Sequence, residues 1–319
     1  MRNMIIPLRL IEILANGALY SAETLGEQLS ISHTAINNCM QTLKEWGLDI
    51  VTISGKGYRL ASPLQLLNEA IIASYLPAGS IKVLSVIDST NQYLLDRMAM
   101  LCSGDACIAE YQQMGRGRRG RVWCSGFGSG LCFSMYWRLA RGAAAATGLS
   151  LVVGIVIAEV LQDAGAKNVR VKWPNDLCLN DKKLAGILVE LTGKAGDVAQ
   201  VVIGVGINLF IRTLQHSPDH QNWINLQEAG IIFDRNKLVA ELLSALHRAM
   251  IRFENEGLLA FIPRWRALDN YLDRSVKLLI GDKELSGIAR GIDRQGALLF
   301  EQNGVIKPFT GGEISLRGI

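Results

Sequence analysis

Gly115-Arg116-Gly117-Arg118-Arg119-Gly120 has the spacing GxGxxG, and the residues after it decide the fold. In a dinucleotide-binding domain these glycines would open a helix, and an acidic residue would stand about 20 positions further on. Here Arg121-Val122-Trp123 comes next, then Gly126, Gly128 and Gly130, with no helical period and no acid before Glu159. The Rossmann reading fails on both counts. Six glycines within residues 115–130 instead let backbone amides approach a bound group, while arginines neutralise its charge. Residues 111–141 carry six arginines, at 116, 118, 119, 121, 138 and 141, and no acid, although the whole chain is only +4. An anionic small ligand is expected there, with a flexible basic surface loop as the alternative.

On either side of this loop, from about residue 68 to 270, strand-like runs alternate with helices, as in a mixed α/β domain. Strands are expected at 81–87, 106–113, 131–137, 169–173, 184–192 and 199–207, and helices at 90–101, 147–164 and 236–255. Val201–Ile207 is continuously apolar and should be central. Ala143–Leu161 has the length of a membrane span, but its alanines and Thr147, Gly148, Ser150 and Gly154 suit a helix buried in a soluble core. No signal peptide opens the chain, so a cytoplasmic protein without a membrane partner is expected. From residue 271 short strands alternate with tight turns at Gly281-Asp282, Asp293–Gly296 and Asn303-Gly304, which fits a small β-barrel. With 49% apolar and 19% charged residues and 7 prolines, the chain is neither disordered nor collagen-like. Its six cysteines are scattered and read as reduced thiols, and the spacing of His216 and His220 is too weak to predict a metal.

The first 62 residues read as a winged helix-turn-helix. Leu8, Ile11 and Leu14 share a helix face that Asn16-Gly17 ends, Ser21 can cap a second helix, and Ser32 a third that runs to Trp46. Ala35, Ile36, Met40 and Leu43 would point inward. The expected DNA contacts are Ala22, Ser32, His33, Thr34, Asn37, Asn38 and Gln41, with Lys56 on a wing around Gly55-Lys56-Gly57. Five basic and five acidic side chains leave this part neutral, so a reader of duplex DNA would need two copies. A helical protein-contact domain is the other reading. The divisions expected are 1–62, 67–270 and 271–319, with Ala61-Ser62-Pro63 as linker.

Three more segments could carry chemistry. Asp88-Ser89-Thr90-Asn91-Gln92 lies where a strand passes into a helix; it is a capping box and would also present Thr90 and Asn91 to a ligand. Trp173-Pro174-Asn175-Asp176 is a turn that could place Asp176 near a metal ion. Lys183 alone would be a solvated turn lysine, and Gly204-Val205-Gly206-Ile207-Asn208 a tightly packed strand.

Taken together, Ser89-Thr90-Asn91, Gly115–Gly120 with Trp123, Lys172-Trp173-Pro174-Asn175-Asp176, Lys183-Leu184-Ala185-Gly186-Ile187-Leu188 and Gly204–Asn208 resemble the biotin–protein ligases, in the family's order. The winged helix in front makes the chain similar to the bifunctional type, in which a biotin operon repressor is joined to a biotin–[acetyl-CoA-carboxylase] ligase. The resemblance spans essentially the whole chain. It departs at Val122, where the family often has a basic residue, and at Ser125-Gly126, where it usually has Ser-Pro.

The resemblance implies an α/β multidomain fold: an amino-terminal winged helix-turn-helix, a central mixed α/β ligase domain of class II synthetase-like type, and a small carboxy-terminal SH3-like β-barrel. It implies that ATP, with Mg²⁺, activates biotin to biotinyl-5′-adenylate, and that biotin passes to one lysine of the biotin carboxyl carrier protein of acetyl-CoA carboxylase. It also implies that the adenylate is a corepressor, whose binding produces a homodimer that occupies the operator DNA of the biotin operon. Ser89, Thr90, Asn91, Gln112, Gly115, Gly186, Gly204 and Gly206 would hold biotin, and Arg116, Gly117 and Arg118 would wrap its carboxylate and the phosphate. Lys183, with Arg116 and Arg118, would act catalytically on charge at the carboxyl–phosphate junction, Lys183 also touching biotin. Arg118, Arg121, Trp123, Asn175, Asp176, Lys183 and Asn208 would hold ATP or the adenylate, with Asp176 meeting Mg²⁺. A disordered loop closing over the anhydride would exclude water. A non-catalytic biotin-sensing repressor and a ligase for another acyl cofactor such as lipoate are the alternatives.

Overall fold

Two serine caps start the helices of the amino-terminal unit. After α1 (Ile5–Leu14), Ser21 Oγ accepts the Thr24 amide and begins α2 (Ala22–Leu29), and Ser32 Oγ accepts the Ala35 amide and begins α3 (His33–Glu45). Each satisfies one of the orphan donors at a helix start. Leu10, Ile11 and Leu14 meet Leu25, Ile36, Met40 and Leu43 in one core. Leu10 takes the inward place expected for Leu8, which is half-buried: Pro7, Leu10, Ile11 and Leu14 form the better i, i+3, i+4, i+7 stripe. β1 (Ile50–Ile53) and β2 (Gly57–Leu60) pair antiparallel as the wing.

The structure is a computed structural model that describes residues 4–77, 79–193, 197–210, 223–281, 283–311 and 314–318. His216 and His220 lie outside the described residues. After α4 (Glu69–Ser74), the central unit is built on β3 (Ile81–Ile87), β4 (Ala106–Gln112), β5 (Gly130–Leu139), β6 (Val169–Lys172), β7 (Asp176–Leu179), β8 (Lys182–Thr192) and β9 (Ala199–Asn208). They form one sheet in the order β3-β4-β5-β9-β8-β7-β6, in which β3 and β4 are parallel and every other neighbour is antiparallel. β9 is the middle strand, paired on both sides, which is why Val201–Ile207 needs no polar face.

Residues alternate across the sheet. Ile108, Met135 and Ile203 join the main core under α6 (Leu149–Asp163) and α7 (Arg235–Glu256), while Cys107, Tyr136 and Val202 face α5 (Thr90–Leu95) with Leu94. By length and composition Ala143–Asp163 is apolar enough to cross a membrane. Its Leu149, Val152, Val153, Ile155, Ile157 and Leu161 are instead buried in the main core. The helix expected at 90–101 stops at Leu95, and a separate 3-10 turn covers Met98–Met100. β7, α4 and α8 (Ile262–Leu268) were not expected; with 4, 6 and 7 residues they are too short for a periodic pattern to register.

The last unit is a five-stranded antiparallel sheet of β10 (Ser275–Ile280), β11 (Lys283–Ile292), β12 (Leu298–Gln302), β13 (Val305–Phe309) and β14 (Ile314–Gly318), ordered β13-β12-β11-β10-β14. Asn303-Gly304 turns β12 into β13 with both residues at positive φ, as a two-residue hairpin requires. All six cysteines are free.

The segment after Pro63 packs firmly. Leu64 is buried in the amino-terminal core, together with Phe127 from the glycine-rich loop, and Leu67 in the main core. Phe127 N–H donates to the Trp46 carbonyl at 2.7 Å, and the two rings stack at 6.0 Å. Gln65 Nε2 donates to Asp234 Oδ2 at 2.6 Å, and the Asn68 amide to Asn236 Oδ1 at 2.7 Å. The winged unit is thus seated on the sheet beside the loop after β4.

Candidate active site

The parallel pairing of β3 and β4 brings their carboxyl ends to one edge of the sheet. There Thr90 donates to Gln112 Oε1 from both its amide and its hydroxyl, at 2.8 and 3.0 Å. Ser89 caps α5 by accepting the Gln92 amide, but the Gln92 side chain binds Asp96 and Arg116, so only half of the capping box forms. Asn91 is buried, with its amide oxygen bonded to Ser134 and its nitrogen donating to Glu190 at 2.7 Å. Its polar groups build the wall.

The loop expected to be disordered is a small hairpin over residues 115–123. Gly117 N–H donates to the Arg121 carbonyl at 2.7 Å and Trp123 N–H to the Gly115 carbonyl at 2.8 Å, around a 3-10 turn at Arg118–Gly120. Arg116 lies 2.8 Å from Glu190 on β8, a carboxylate that sequence reasoning missed. Arg118 Nη1 donates to Asn175 Oδ1 at 2.8 Å, and Asn175 Nδ2 to the Ile187 carbonyl at 2.8 Å. The β7–β8 hairpin shifts register between Leu177 and Cys178, and Lys183 Nζ stands 2.8 Å from Asp176 Oδ1. Burial holds the Arg118 guanidinium below its ordinary pKa, with Asp176 opposing. It stays cationic, as arginine does at any working pH.

Trp123 lies flat over β9. A Cβ on Gly206 would stand 2.4 Å from its indole, so only glycine fits beneath it, and the ring stacks on Trp223 at 5.3 Å. Its Nε1 is buried with no hydrogen-bond partner among the described residues.

These groups enclose one cavity of about 780 Å³, within the usual range for small-molecule sites. Ser89, Thr90, Asn91, Gln112, Arg116, Gly117, Arg118, Arg121, Trp123, Asn175, Asp176, Lys183, Gly186, Gly204 and Gly206 line it. Gly115 and Asn208 do not. The Gly115 carbonyl holds Trp123, while Asn208 Nδ2 donates to the Ile224 carbonyl. Four arginines of the basic stretch face the cavity, whereas Arg138 and Arg141 lie near the far end of β5. Sequence reasoning missed Trp223, Tyr271, Arg274 and Arg317, and gave Lys172 no role although it stands in the Lys172–Asp176 motif. Arg274 immediately precedes β10 and Arg317 lies on β14, with no local pattern to mark them. Cys178 is on the wall, but burial pushes its thiol pKa up to about 11, so it is no nucleophile.

The cavity therefore offers neutral hydrogen-bonding groups at Ser89, Thr90, Asn91 and Gln112, and a cluster of cations with the carboxylates of Asp176 and Asp181. No group of three or more His, Cys, Asp or Glu side chains among the described residues could hold a metal by itself. That donor set suits Mg²⁺, which favours one or two carboxylates plus phosphate and water, and Asp176 is the residue that would hold it.

Residues 83–208 match the Biotin/lipoate A/B protein ligase family, 271–317 the Biotin protein ligase C terminal domain, and 8–59 an HTH domain. The chain is 62% identical over 317 residues, 99% of each chain, to the bifunctional ligase/repressor BirA of Escherichia coli strain K12. It belongs to the biotin–protein ligase family. Within that family it is also 28% identical to BirA of Bacillus subtilis strain 168, over 95% of each chain. A solved biotin protein ligase from Aquifex aeolicus, in complex with biotin and ATP, matches with a TM-score of 0.65 and 29% identity, over 75% of this chain and 99% of that one.

His33, Thr34, Asn37, Asn38 and Gln41 are exposed along α3, with Ser32 at its start and Lys56 at the wing tip. Ala22, expected among them, packs against the amino-terminal core.

Proposed function

We infer that the chain joins biotin to ATP as biotinyl-5′-adenylate in the 780 Å³ cavity and passes the acyl group to a lysine of the biotin carboxyl carrier protein of acetyl-CoA carboxylase. The observation that carries this is the polarity of the cavity. Thr90 and Gln112 offer neutral hydrogen-bonding groups suited to a ureido ring, beside the Arg116–Glu190 pair, and Arg118 and Lys183 offer cations suited to a carboxylate meeting a triphosphate. Two anions must approach in line, so fixed positive charge and positioning are the main catalytic needs. Arg118, oriented by Asn175, steadies the junction, and Lys183, oriented by Asp176, offsets the charge that develops there. Mg²⁺ bound at Asp176 would neutralise phosphate charge. The Trp123 indole, over glycine, forms an apolar lid that excludes water from the anhydride.

Arg118→Gly should leave the fold intact and release activated biotin to nearby amines, read as label on bystander protein in a mixed incubation. Unchanged retention of the adenylate would remove Arg118 from this role.

The same chain is a repressor of the biotin operon, with the adenylate as corepressor, acting in the cytoplasm as a homodimer. An open sheet edge supports the dimer. β7 pairs with β8 only as far as Gly186, and among the described residues no strand covers that side of 188–192. Arg116 of the ligand loop binds Glu190 on this stretch, so ligand contacts and edge share one strand. A two-fold copy could extend the sheet there. Operator binding should therefore tighten markedly when biotin, ATP and Mg²⁺ are added together. A gel shift that is the same with and without them would overturn the coupling.

A further inference from the structure

Beside the packing of Ile50 and Leu60 with Met40 and Leu43, the wing reaches the exposed side of α3 through a hydrogen bond: Tyr58 Oη donates to Asn37 Oδ1 at 2.7 Å. The tyrosine is held from behind. Tyr58 and Tyr20 exchange both backbone hydrogen bonds, at 2.8 and 2.9 Å, and a Cβ on the preceding Gly57 would stand 1.9 Å from the Tyr20 carbonyl oxygen. Tyr20 is anchored in turn, because Asn16 Nδ2 donates to its hydroxyl at 2.7 Å. The phenol is therefore a fixed, half-buried donor.

Asn37 lies one turn after His33 and one turn before Gln41, on the exposed stripe of a capped thirteen-residue helix. An unrestrained asparagine reads adenine with both ends of its amide, donating to N7 and accepting from the N6 amino group. Here the accepting end is turned to the wing. Its oxygen keeps a second lone pair, but the bond to the phenol holds that oxygen toward the wing. The N–H end, without a partner among the described residues, remains for the base.

We propose that Tyr58 is a positioning residue for operator readout, and that it makes Asn37 a donor-only reader selecting guanine over adenine. Guanine offers two adjacent major-groove acceptors, N7 and O6, where adenine offers one acceptor and a donor. The inference rests on the repressor reading and deepens it.

The test is selection from a duplex pool whose random core is long enough for two half-sites, using the full chain with biotin, ATP and Mg²⁺. Wild type, Asn37→Ala and Tyr58→Phe are compared, with pyrophosphate exchange as the check on folding. Asn37→Ala should erase the preference at one symmetric pair of positions, where wild type selects guanine. Tyr58→Phe, which removes only the hydroxyl, should raise acceptance of adenine there by roughly tenfold. Adenine selected by wild type at that pair would overturn the proposal. So would an unchanged Tyr58→Phe profile, or an Asn37→Ala loss equal for all sequences. If wild type enriches no sequence, the operator reading itself falls, a result distinct from a motif with the wrong base.

Discussion

Lys183→Met is expected to lower biotin-dependent ATP–pyrophosphate exchange by about 10²–10³-fold, the usual effect of removing one preorganised donor from a developing charge. The ammonium group is 2.8 Å from Asp176 and 5.8 Å from the centroid of the Trp123 ring, on the wall of the cavity. Methionine keeps the apolar stem and removes the charge, which separates packing from electrostatics. If kcat falls while the KM for biotin stays within a few-fold, the charge acts in the transition state. Exchange within threefold of wild type would show that Lys183 only pairs with Asp176.

The largest expected effect on stability lies in the seat of the winged unit. Arg235 and Glu110 are 0% and 4% exposed, with Nη2 and Oε2 2.7 Å apart. The guanidinium also donates to the carbonyls of Gln65 and Gly130, and Glu110 accepts the Leu67 amide. One buried pair thus ties the segment after the linker to α7, β4 and β5. Arg235→Met would leave a carboxylate buried without its countercharge, which costs about 3–5 kcal/mol. At about 2–4 °C per kcal/mol for a chain of this size, the melting temperature should fall by roughly 6–20 °C. Adding Glu110→Gln, which keeps an oxygen for Leu67, should recover most of the loss, because the stranded charge and not the missing arginine carries the cost. A single variant that loses less than about 1 kcal/mol in urea unfolding would contradict this account.

Much of the site was legible because its residues stand in local patterns. Ser21 and Ser32 cap helices through an amide three residues away, and Thr90, Arg118, Asp176 and Lys183 come from segments that stand where a strand turns. Gly115 and Asn208 stood in the same motifs and still missed the cavity. Asn208 shares a strand face with Gly204 and Gly206, but it lies where the chain near Ile224 covers that face. Glu190, Trp223, Arg274 and Arg317 were not legible, since each reaches the site from a different element and carries no motif. Overall net charge was no guide either: of the six arginines that stood out in the sequence, four face the cavity, and Glu190 pairs with one of those.

The amino-acid sequence by itself determined the longer elements, the capped starts of α2 and α3, the central place of β9, the winged helix and the loop that would meet an anion. Capping, periodicity and turn chemistry act over three or four residues, so neighbours in the chain decide them. Only the tertiary structure decided which charges pair, which face of Asn37 is free, and that Phe127 and Arg235 seat the winged unit on the sheet. Coulombic and hydrogen-bond partners are chosen by distance in space, across separations such as the 125 residues between Glu110 and Arg235. No local pattern encodes that choice.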